Sequence, residues 1–98
     1  METQSMDTII ETLRSRGSVE FSHLGGTYLI QAESNKGWDY LGLWRTAPDA
    51  FCLQRVFYDD PDGVSEEAVR KLLDQPFNEE HTVREILQSP ETEWKKPI

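Results

Sequence analysis

Between Gly17 and Ala32 the apolar residues recur at every second position, and a glycine pair interrupts them midway. Val19, Phe21 and His23 alternate with Glu20, Ser22 and Leu24, and Tyr28, Ile30 and Ala32 alternate with Leu29 and Gln31. A period of two belongs to a strand with one covered face. A Gly25-Gly26 loop between two such strands predicts a tight hairpin, because both glycines tolerate positive φ. Pairing Leu24 with Thr27 sets His23 opposite Tyr28, Phe21 opposite Ile30 and Val19 opposite Ala32. The apolar members of both strands then meet on one side, as a single buried face requires.

The segments on either side extend this hairpin into a larger fold. Met6, Ile9, Ile10 and Leu13 share one helical face, with Ser5 as N-cap, Asp7 in the first turn and Arg14 and Arg16 before the terminating Gly17. A helix over about 6–16 follows. After the turn Asn35-Lys36-Gly37, two β-rich stretches run Trp38 to Thr46 and Phe51 to Tyr58, separated by Ala47-Pro48-Asp49-Ala50. Both parities of these stretches are apolar, so the pattern leaves open which side is covered. Ser65 opens a second helix with Glu66 and Glu67 in its first turn and the stripe Ala68, Val69, Leu72 and Leu73; Pro76 stops it. Asn78 caps a last short helix carrying Val83, Ile86 and Leu87, which closes at Ser89-Pro90. The expected architecture is α+β: a helix, a four-stranded antiparallel meander and two C-terminal helices (α-β-β-β-β-α-α) in a layer sandwich. Residues 6–88 form the single domain, with 1–5 and 90–98 as flexible termini.

Composition narrows the functional classes. The 98 residues hold 18 Asp and Glu against 10 Lys and Arg, a net charge of −8, which opposes direct contact with phosphate backbones. Ten per cent aromatic content argues for a folded chain. No apolar run approaches the ~20 residues of a membrane span. The N-terminus has neither the basic nor the apolar region of a secretory leader, and the single Cys52 cannot form an internal disulfide; both features point to the cytoplasm.

Little in the chain supports chemistry. Asp59-Asp60-Pro61-Asp62-Gly63 resembles a calcium loop until the glycine is set at position six. Tyr58 and Val69 then occupy the ligand positions one and twelve, so a strand-to-helix turn is the better reading. Cys52 has His23 and His81 as conceivable bases, but nothing in the spacing brings either to the sulfur, and it reads as a small hydrophobe. His81 and Glu85 are four apart on a helix, two groups short of a metal site, and read as a surface pair. No cofactor or metal is implied, and no motif carries a family resemblance.

Two surfaces remain. Trp38, Tyr40 and Trp44 share one parity of one strand, with Gly42 leaving a gap between the last two. These rings either pack under the helices as core or form a platform, with His23 added where a pocket opens nearby. Residues 57–98 carry 11 acidic and 5 basic side chains, and Asp59, Asp60, Asp62, Glu66 and Glu67 form the densest acidic stretch. The leading expectation is a non-enzymatic module that binds a protein partner. The alternatives are a small-molecule binder or small enzyme at a pocket near the aromatics, and an acidic inhibitor or nucleic-acid mimic that occupies a basic partner.

Overall fold

The computed structural model describes residues 6–59 and 63–94. Helix α1 (Met6–Arg16) precedes strands β1 (Ser18–His23), β2 (Gly26–Asn35), β3 (Trp38–Ala47) and β4 (Phe51–Tyr58). Helices α2 (Glu66–Leu73) and α3 (Val83–Leu87) follow, and β5 (Thr92–Trp94) ends the described chain. The five strands form one antiparallel sheet in the order β4-β3-β2-β1-β5. The fold is therefore α+β. The expected four-stranded meander is corrected to five strands. Residues 92–94, expected within a loose tail, return to pair Phe21 with Trp94 and His23 with Thr92.

All three helices supply the core together with one face of the sheet. Ile9, Ile10 and Leu13 of α1, the α2 stripe, and Val83, Ile86 and Leu87 of α3 are buried with Val19, Phe21, Tyr28, Ile30, Leu41, Leu43 and Val56. Fully burying one such aliphatic side chain contributes roughly 1.5–3 kcal/mol, and this cluster is what holds helices to sheet.

Turn chemistry sets the register. Leu24 (φ 46°) and Gly25 (φ 85°) are both left-handed, as are Lys36 (φ 53°) and Gly37 (φ 86°), so both hairpins close on a two-residue turn whose twist matches the strands. The first hairpin therefore turns one residue earlier than Gly25-Gly26. His23 pairs with Gly26, Phe21 with Tyr28 and Val19 with Ile30. The pairing differs from the expected one by two residues, which leaves every side chain on its expected face. Gly26 serves another purpose: a Cβ there would meet the Tyr28 ring at 2.8–3.0 Å, so the aromatic lies over bare backbone.

The helix ends follow their caps. Ser65 Oγ accepts from Ala68 N at 3.1 Å. The last helix begins at Val83 rather than near Asn78, because Thr82 and Glu85 form a reciprocal capping box: Thr82 N donates to Glu85 Oε1 at 2.8 Å, and Glu85 N to Thr82 Oγ1. Asn78 instead folds the preceding loop, its Oδ1 accepting from the backbones of Glu80 and His81. Ser5, expected to cap α1, lies outside the described residues.

Candidate functional site

The two faces of the sheet differ sharply. With Leu41 and Leu43 turned to the core, β3 directs Trp38, Tyr40, Gly42 and Trp44 to the opposite face, where no helix lies among the described residues. Strand β4 adds Arg55 opposite Gly42 and Phe57 opposite Tyr40. Trp38 is 67% exposed and Phe57 54%, whereas Tyr40 is buried beneath its neighbours at 8%.

These residues form a continuous stack. The Trp38 and Phe57 rings meet edge to face at 6.0 Å between centroids, and Phe57 lies 5.4 Å from Tyr40. The Arg55 guanidinium lies 5.4 Å from the Tyr40 centroid and 5.6 Å from that of Trp44. Trp44 Nε1 donates to Glu33 Oε2 of β2 at 2.6 Å, a charge-assisted hydrogen bond. The gap at Gly42 is therefore occupied. A Cβ there would stand 2.5 Å from Glu33 Oε2 and 2.6 Å from Trp44 Nε1, so glycine is required for these two side chains to meet over the backbone. Arg55, Phe57 and Glu33 complete the surface.

His23 lies on the other face. Its ring is buried, and its Nδ1 lies 3.1 Å from Thr92 Oγ1. Thr92 gives its one hydroxyl proton to Ile86 O, so its oxygen accepts from His23 Nδ1–H and Nε2 carries the lone pair of the neutral ring. Burial pushes the imidazole below its ordinary pKa; Glu91 opposes that shift and His81 adds to it. A cavity of about 470 Å³ opens beside it, lined by His23, Leu24, Asn78, His81 and Glu91 among others. Trp38, Tyr40 and Trp44 take no part in that cavity, so the structure brings the three aromatics together and sets His23 apart from them.

The remaining candidates separate as well. Cys52 is half-buried on β4, with Sγ directed to Gln54 O at 3.4 Å. Two strands intervene between β4 and β1, which alone separates Cys52 from His23 by roughly 14 Å across the sheet at ~4.8 Å per strand. His81 Nδ1 and Glu85 Oε1 are 3.9 Å apart, but Glu85 is committed to its cap, and the hydrogen bond from Thr82 N holds its carboxyl below the usual range. Among the described residues no three His, Cys, Asp or Glu side chains group as a metal would require.

Of the acidic stretch, Asp59, Glu66 and Glu67 are exposed, while Asp60 and Asp62 lie outside the described residues. Glu66 pairs with Arg70 at 3.1 Å and Glu67 with Lys71 at 3.7 Å, so α2 presents a largely balanced face. Among the described residues no helix is long and apolar enough to cross a membrane. No protein-family model matches the chain, and no curated protein or solved structure matches it either.

Proposed function

We propose that this protein is a non-enzymatic interaction module that binds a protein partner through the bare face of its sheet. The observation that carries the reading is the placement of Trp38 and Phe57, two large rings held exposed beside Tyr40, Trp44 and Arg55 on the face that no helix covers among the described residues. Aromatic and arginine side chains are the residue types that dominate binding energy at protein interfaces, and here they contact one another on the sheet surface. The single cation among them suits a partner surface that offers apolar side chains around a carboxylate or an amide.

The test begins with capture of a partner from the native host, followed by its purification and titration into the isotopically labelled protein. Backbone and indole resonances of Trp38, Tyr40, Arg55 and Phe57 are expected to shift. Shifts confined to the exposed acids Asp59, Glu66 and Glu67, with affinity that falls steeply as salt is added, would instead favour recognition of a basic partner.

A further inference from the structure

The cavity beside His23 lies on the helical side of the sheet, apart from the aromatic stack, and its charge is one-sided. Glu80, Glu85 and Glu91 line it, and no lysine or arginine does. Glu85 is committed to the cap of α3, whereas Glu80 and Glu91 meet no lysine or arginine among the described residues. Exposed carboxylates alone are ordinarily solvated surface; here a buried acceptor stands behind them. His23 is 8% exposed, with Nδ1 turned to Thr92. Trp94 Nε1 is the only buried side-chain nitrogen or oxygen without a partner among the described residues. His23 Nε2, which makes no hydrogen bond among them, is therefore not sealed in the core, and its lone pair opens on the cavity that the residue lines.

The apolar part of the wall is Leu24 and Ile86. Leu24 is the less expected of the two, a bulky exposed residue held at φ 46°. Local backbone strain of this kind clusters at ligand contacts, and an alkyl chain lying against Leu24 gives its side chain something to pack on.

We infer that this cavity binds a small primary amine as its ammonium, which donates to His23 Nε2 and to the carboxylates of Glu80 and Glu91 while its alkyl body lies against Leu24 and Ile86. An ammonium brings three N–H donors to these three acceptors. A metal ion suits the cavity poorly, because no three His, Cys, Asp or Glu side chains group as it would require among the described residues. The site is on the covered side of the sheet, so the inference stands or falls separately from partner binding at the bare face.

The test is titration of n-butylamine into the isotopically labelled protein just above neutral pH, following the imidazole nitrogens of His23 and His81. Butan-1-ol, which lacks the charge, and tetramethylammonium, which lacks the N–H donors, are the controls. Saturable shifts of His23 Nε2 at millimolar amine are expected, and from neither control. Glu91→Gln is expected to weaken binding about threefold, as loss of one exposed ion pair does. Leu24→Asn is the sharper variant: it relieves the turn and so stabilises the fold, yet it is expected to weaken binding about fourfold, the equivalent of one buried methylene. Acid supplies a further readout. As pH falls below 6.5, His23 Nε2 turns from acceptor to donor and His81 gains charge, while the amine stays cationic and Glu80, Glu85 and Glu91 stay ionised. Binding is expected to disappear with the imidazole titration, well before the glutamates protonate. No shift at His23 through the millimolar range, an equal response to either control, an affinity indifferent to Leu24→Asn, or binding that persists until the glutamates protonate would each overturn the inference.

Discussion

Leu24 is a bulky residue held at φ 46° and 73% exposed, a combination with no packing reward in the folded state. The left-handed region costs a β-carbon-bearing residue roughly 1–2 kcal/mol, and asparagine is the residue that most readily occupies that position before glycine. Leu24→Asn is therefore expected to raise stability by about 1 kcal/mol, measured as an upward shift in the urea midpoint. The same position explains why the hairpin loop was only partly legible: the glycine pair marks the turn, but which glycine needs positive φ depends on the Tyr28 ring lying over Gly26. His23 carries a second prediction at this scale. Its folded pKa is depressed below 6.5, so the unfolded chain binds the proton more readily, and stability falls as pH drops from 6.5 through the lowered value. Thermal unfolding between pH 7 and 5.5 is expected to show this decline in the wild type, and His23→Asn to flatten it. An unchanged slope in the variant would assign the decline to other groups.

At the scale of elements, the covered face of β3 was within reach of the sequence. A two-residue Lys36-Gly37 turn pairs Asn35 with Trp38, which sets Ile30 against Leu43 and Ala32 against Leu41. Since β2 buries Tyr28 and Ile30, β3 must bury Leu41 and Leu43 and present Trp38, Tyr40 and Trp44 outward. β4 was less legible, because the ladder shifts register between Leu43 and Trp44 and no count along the chain locates that bulge. β5 was illegible for another reason: three residues are too few to show a period, and Thr92 is held by hydrogen bonds to His23 and Ile86 rather than by an apolar pattern. Asn78, a good capping residue, suggests an earlier start for the last helix, whereas the reciprocal Thr82–Glu85 pair decides it. Thr82→Ala removes that cap and is expected to lower stability by about 1 kcal/mol, seen in the urea midpoint with unchanged slope.

At the scale of the molecule, the helices cover one side of the sheet and the aromatic stack occupies the other. The more acidic stretch 57–98 supplies α2 and α3 on the helical side, and the exposed Glu66 and Glu67 of α2 are partnered by Arg70 and Lys71. What remains as a distinctive surface is the bare sheet face. Under the proposed binding role, Trp38 and Phe57 serve recognition and contribute little to folding. Their double substitution, Trp38→Ser with Phe57→Ser, measured by urea unfolding beside Phe21→Ala, tests that claim most directly. The pair is expected to lose about 1–2 kcal/mol, from ring contacts at the surface, against roughly 3–5 kcal/mol for the fully buried Phe21, together with loss of the captured partner. A double variant destabilised as much as Phe21→Ala, or one that retains its partner with unchanged affinity, would contradict it.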